Sequence, residues 1–124
     1  LAHQIEAFTY LLSKQFGDDD TFFLISGDLA HFGKKFGDSE PASNLMSDVR
    51  AFDESFMQAA SNNDSQQLLR IMSEDYDPFR ICGFPPLYTF MNAFPHLKGE
   101  ILHHQIWDET ERDSAVSFGS IVFS

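Results

Sequence analysis

The stretch "FFLISGDLAHFGKKFGD", residues 22 to 38, constrains the fold more than any other part of the chain. A near-continuous apolar run, Phe22 to Ser26, stops at Gly27 and delivers Asp28 and His31 into a loop with a further glycine at Gly33. Such a run reads as a strand buried on both faces, which predicts an α/β sheet. In open α/β sheets ligands sit beyond the carboxyl ends of the strands, and "GDLAHFG" leaves its strand at such an end. A structural turn needs a glycine and a polar residue; it does not need a histidine three positions after an aspartate. Asp28 and His31 are therefore candidate functional residues, with Gly27 and Gly33 expected to let the backbone pass close to a bound group. The alternative is an Asp28-capped turn in which His31 is hydrogen-bonded locally.

Hydrophobic periodicity places helices on either side of this run. Ile5, Phe8, Leu11, Leu12 and Phe16 fall on one helical face, which ends at Gly17 and the acidic run Asp18 to Asp20. A second helix is expected over Met46 to Ala60 with Val49, Phe52, Phe56 and Met57 inward. Asp64 and Gln67 form a capping-box pattern opening a third, whose stripe is Leu68, Ile71 and Met72. Two more strands read around Ile101 to Trp107 and Ala115 to Phe123, joined by the charged hairpin-like loop "DETERDS". Three strands make a thin sheet for a doubly covered fold, so an N-terminal portion is expected to lie upstream of Leu1.

The second informative stretch is "RICGFPPLYTFMNAFP", residues 80 to 95. Pro85 and Pro86 suit the first turn of a helix, where missing amides cost least, and the helix should stop before Pro95. Cys82 then lies just ahead of a helix N-terminus, where free amides and the helix dipole favour a thiolate and hence a reactive or metal-binding role. The alternative fate of a free cysteine is to serve as a small buried hydrophobe. The neighbouring His103 and His104 fall on a strand and should point to opposite faces, so they cannot chelate one ion together. The metalloprotease His-Glu-x-x-His, the Gly-x-Ser-x-Gly elbow, the phosphate-binding Gly-Lys-Ser and the Rossmann glycine pattern are all missing.

The remaining exclusions come from composition. A formal charge of −11 with scattered Lys and Arg would repel a phosphate backbone, so nucleic acid is not an expected partner. No apolar run approaches the roughly 20 residues that span a bilayer, so no membrane partner is expected. The single cysteine precludes an internal disulfide and fits a cytoplasmic location. At 124 residues, one domain is expected.

Three segments, "ISGDLAHFGKKFGD", "ICGFPPLYTFMNA" and "SAVSFGSIVFS", together resemble the Memo family, in particular the bacterial branch called AmmeMemoRadiSam system protein B. Their order and spacing match, and the helical middle between them fits. The resemblance covers essentially the whole chain but only the C-terminal half or so of the family's domain. It implies that residues 1–124 are a single domain, a C-terminal fragment of a larger Memo-like domain. The implied architecture is α/β, a mixed sheet flanked by helices, resembling the C-terminal half of the class III extradiol dioxygenase-like fold.

Carried over position by position, the resemblance makes Cys82 a metal-ligand position. His31 takes the place over the pocket where the related dioxygenases keep an acid–base histidine, and Asp28 becomes the pocket carboxylate. The family's other two ligand histidines come from upstream segments, so the site in this chain is incomplete, and iron or copper is the metal implied for the full-length protein. A thiolate in place of a carboxylate favours softer ions such as copper and argues against ordinary ring cleavage. Two functions follow: a metal-dependent redox or oxygenase-type protein, or a non-catalytic module that keeps a vestigial dioxygenase pocket for a protein or peptide. The first implies a small-molecule or peptide ligand. The acidic surface suits a protein partner of opposite charge.

Overall fold

Helix α1 (Ala2–Phe16) forms where the apolar periodicity places it, and Leu12 packs toward the aromatic cluster of Phe90 and Phe94. The computed structural model describes residues 2–124. The rest of that apolar face is not covered: Ile5, Phe8, Leu11 and Phe16 are exposed.

After α1 the chain runs extended through Thr21 to Asp28, and here the sequence expectation fails. Phe22 to Ser26 is not a strand of the sheet, and the backbone amides and carbonyls from Phe22 to Gly27 have no backbone partner among the described residues. Alternation survives on one side only. Phe23 and Ile25 pack against the Phe90–Phe94 cluster, with Phe23 and Phe94 ring centroids 5.0 Å apart, while Phe22 and Leu24 are 87% and 83% exposed. The run has the geometry of a strand without the neighbours that would make it one.

Pairing begins at Leu29. The short strand β1 (His31–Gly33) lies antiparallel to β3 (Ser114–Phe123), whose other edge carries β2 (Gly99–Glu109), giving the order β1-β3-β2. All three strands are antiparallel. The sheet is therefore not mixed as expected, because the parallel member it required, Phe22–Ser26, stays outside it. A bulge between Ile101 and His103 shifts the β2–β3 register, and the "DETERDS" segment closes the hairpin through a helical turn over Thr110–Arg112 and a left-handed Asp113.

Helix α2 (Ala42–Ser61) packs across all three strands. It begins four positions earlier than the periodicity indicates, on Pro41, because Ala42 N–H donates to Asp113 O of the hairpin tip (2.9 Å). Val49, Phe56 and Met57 are buried beneath it, together with Phe32 of β1, Leu68 of α3 (Ser65–Glu74) and Met91 of α4 (Phe84–Ala93). The Asp64 carboxylate caps α3 by accepting from Gln67 N–H at 3.0 Å, as its pattern implies. Pro85 and Pro86 occupy the first turn of α4, which ends before Pro95. No helix among the described residues is long and apolar enough to cross a membrane.

An extended apolar segment with two unpaired edges is a template for strand addition. The protein is expected to associate as its concentration rises, and replacing Phe22 and Leu24 with Lys should suppress that association. Static light scattering across a dilution series checks both; a monomer at every concentration for the unaltered chain contradicts the expectation.

Candidate metal-binding site

The segment Asp28–His31 is hydrogen-bonded along both edges, and this creates the site. Toward β3, Leu29 N–H donates to Ser117 O and Ser117 N–H donates to Ala30 O, both at 2.9 Å. On the other edge His31 N–H donates to Phe79 O (2.7 Å) and Gly83 N–H donates to Asp28 O (2.9 Å). The second pair of bonds draws the loop Phe79–Gly83, some fifty residues downstream, against the end of the Phe22–Ser26 run.

Two glycines make that approach feasible. A Cβ on Gly27 would lie 2.6 Å from Gly83 Cα, and one on Gly83 would lie 3.0 Å from Asp28 O. Gly33 (φ 106°) has a comparable task, since a Cβ there would meet Asp113 O at 2.3 Å. The expectation that Gly27 and Gly33 make room for a bound group is thus corrected: the space they leave is filled by neighbouring backbone.

The three candidate residues converge. One ligand-type atom from each of Asp28, His31 and Cys82 lies within 4.8 Å of the others. His31 Nε2 and Asp28 Oδ2 are 3.7 Å apart. The Cys82 sulfur is exposed and accepts from Asp28 N–H at 3.2 Å. It lies one residue before the α4 cap, Gly83, but its hydrogen-bond donor is the Asp28 amide of the facing loop, not an amide of α4.

His31 is held in one ring orientation. Its Nδ1 lies 2.9 Å from Arg80 O, and since a carbonyl only accepts, Nδ1 carries the hydrogen. That tautomer leaves the Nε2 lone pair facing Asp28, since a carbonyl that holds the hydrogen on one ring nitrogen keeps the other free to ligate or to take a proton. The Phe36 ring meets the imidazole edge-on at 5.4 Å and limits its rotation.

Arg80 and Asp38, neither singled out from the sequence, lock this arrangement. The Arg80 guanidinium donates to His31 O (3.0 Å) and to both carboxylate oxygens of Asp38 (2.9 and 3.3 Å), and Gly33 N–H donates to Asp38 Oδ2 (2.8 Å). Arg80 itself is left-handed (φ 57°), as are Tyr76 and Asp77 before it. Such backbone costs on the order of 1–3 kcal/mol per residue and persists where surrounding contacts over-determine it. Desolvation pushes the Asp38 carboxyl up, but the Arg80 hydrogen bond, the Gly33 amide and the Arg80 charge together outweigh it and hold Asp38 below the usual carboxylate range.

The other histidines stand apart from the cluster. His103 is exposed, while His104 Nε2 meets the buried Asp53 Oδ2 at 2.7 Å from the opposite face of β2, so the two cannot share an ion. His3 and His96 are exposed.

In this α/β chain an imidazole, a carboxylate and a thiol meet where two loops run backbone to backbone, a grouping of side chains that could hold a metal ion. The family model for Memo-like proteins matches residues 2–122, and the chain belongs to that family. A MEMO1 family protein of Thermus thermophilus, TTHA0924, is 26% identical over 99 residues, which cover 80% of this chain and 30% of that protein. The chain thus spans about a third of the length of the curated relative it matches.

Two outcomes follow from the geometry. Because Asp38 is depressed in the folded state, its contribution is fully present above the unfolded value of about 3.9 and is lost as pH falls through the folded value. Asp38→Asn should cost on the order of 1 kcal/mol at neutral pH, discounted for partial exposure, and the deficit should shrink below about pH 4 in urea titrations. Gly27→Ala must push the loops apart, so a loss of about 1–3 kcal/mol and faster amide exchange at Gly83 are expected.

Proposed function

We propose that this chain contributes a non-haem metal pocket, related to that of the class III extradiol dioxygenases, to a metal-dependent redox or oxygenase-type protein. The observation that supports the reading is the convergence of Asp28, His31 and Cys82 within 4.8 Å, from two parts of the chain that local sequence cannot bring together.

The donor set fits a metal. The Cys82 sulfur, an Asp28 oxygen and His31 Nε2 lie within 4.8 Å of one another, close enough for an ion held by Cys82 to share the pocket with a molecule that meets His31 and Asp28. A mixed imidazole, carboxylate and thiolate set suits iron or copper, the thiolate favouring the softer ion. Such an ion supplies redox capacity or polarises an oxygen ligand. In this reading Cys82 is the metal ligand. His31 exchanges a proton at Nε2 with a bound molecule, because its Nδ1 hydrogen is committed to Arg80 O. Asp28, half of whose side chain is exposed, orients that molecule or completes the donor set.

The test is elemental analysis of the full-length protein purified without added metal, followed by the Cys82→Ser variant. Stoichiometric iron or copper is expected, with at least about a tenfold loss of affinity in the variant. Since Cys82 is exposed, its stability should change by no more than about 0.5 kcal/mol. Metal-free protein, unable to take up either ion, overturns the reading. If such protein binds a peptide or protein partner, the vestigial-pocket module replaces it.

A further inference from the structure

Strand β2 is an outer strand of the sheet, and no strand among the described residues pairs with its far edge. The opposite end of the sheet differs. There β1 spans three residues, and its outer side is taken by the Phe79 carbonyl, which accepts from His31 N–H at 2.7 Å. β2 runs for 11 residues without Lys, Arg or Pro, the residues that usually guard an edge.

The backbone bonds show which groups line this edge. Ser117 of β3 turns both its N–H and its C=O toward β1, to Ala30 O and Leu29 N–H. Ile106, its partner on β2, is therefore in a non-hydrogen-bonded pair, and the Ile106 N–H and C=O point outward. Alternation gives His104 and Asp108 the same outward backbone. The reciprocal bonds of Lys98 and Ser124, at 3.0 and 2.9 Å, have the matching phase, since Ser124 faces β2 where Ser117 faces β1.

The edge is also complementary to itself. The bulge between Ile101 and His103 ends the regular ladder on one side and the turn at Thr110 ends it on the other, which leaves His103–Glu109 with Ile106 at its midpoint. Antiparallel pairing of this segment with its own copy about Ile106 uses every residue of it. It sets Asp108 opposite His104 and Glu109 opposite His103, so each carboxylate meets an imidazole, with Glu109 already oriented by Lys35 and Arg112. Gln105 falls opposite Trp107, whose side chain is 56% exposed. Moving the axis one residue toward Asp108 leaves both histidines without a strand partner. Moving it one residue the other way sets Asp108 against the bulged Leu102.

We propose that β2 pairs antiparallel with β2 of a second copy about Ile106, joining two three-stranded sheets across a two-fold axis. Such an interface is isologous and closed, so assembly stops at a dimer. Association through Phe22–Ser26, which has two free edges, does not close. The dimer does not rest on the metal-pocket reading.

Sedimentation equilibrium of the full-length protein carrying Phe22→Lys and Leu24→Lys isolates the β2 contact. A monomer–dimer equilibrium is expected across a dilution series. His103→Glu sets like charges opposite each other in both halves of the interface and should weaken the dimer by at least about tenfold. Cross-linking by oxidation in a Cys82→Ser background reads the register. Positions 105 and 107 of the two copies form a non-hydrogen-bonded pair with Cα atoms about 4.5 Å apart, within disulfide range, whereas two copies of either position lie about 8 Å apart, beyond it. A mixture of Gln105→Cys and Trp107→Cys proteins should therefore cross-link, and neither should do so alone. His103, Gln105 and Trp107 are all exposed, so these substitutions spare the core. A monomer at every concentration overturns the proposal, as does a dimer that the mixed cysteines fail to trap or that His103→Glu leaves equally tight. Should His103→Glu lose its helical circular dichroism, the cross-link decides alone.

Discussion

The two-edged hydrogen bonding of Asp28–His31 is the constraint on which the rest of this structure depends. One edge belongs to the sheet, through Ser117, and the other belongs to the loop that precedes α4, through Phe79 and Gly83. A four-residue segment thus joins two parts of the core that would otherwise have no shared backbone bond at this point. Everything that gives the candidate site its shape follows from that junction: Cys82 is carried in beside Gly83, Arg80 is brought over His31, and Ala30 is pinned to the buried Ser117.

The junction explains why costly local features cluster here. Arg80 adopts a left-handed backbone that a branched or bulky residue elsewhere would avoid, and its carbonyl and guanidinium both contact the neighbouring segment as a result. Asp38 is partly desolvated yet stays charged because Arg80 and Gly33 N–H surround it. Asp53 is the converse case, a buried carboxyl raised by desolvation against the pull of Ser117 and His104. Each departs from the conformation or solvation preferred in isolation, and Arg80, which bonds both His31 O and Asp38, links two of them directly to the segment.

Much of the secondary structure was legible because it depends on nearest neighbours along the chain. Helical periodicity located α1 and α2, Asp64 with Gln67 marked the start of α3, and Pro85–Pro86 with Pro95 bounded α4. The β2–β3 hairpin was legible for the same reason. Phe22–Ser26 was not. Its composition reports that the backbone is extended and the side chains are apolar, but a strand is defined by a partner, and pairing is a property of two segments. The glycines show the same limit: Gly27 was recognised as a place of close approach, whereas the group that approaches, Gly83, is 56 positions away.

The sequence by itself singled out the candidate site residues, because an Asp-x-x-His after an apolar run and a lone Cys before a proline-started helix are unusual enough to notice without coordinates. Family membership was determined there too, since three ordered motifs survive as text and the Memo-like match spans residues 2–122. Only the tertiary structure decided that Asp28, His31 and Cys82 share one small volume. It alone revealed Arg80, Asp38, Asp53 and Ser117, each of which hydrogen-bonds to a residue between 42 and 87 positions away. The physical reason is that a hydrogen bond acts over about 3 Å of space whatever the length of chain between its ends. Local patterns record the conformation a segment prefers, and contacts between distant segments leave no spacing to read.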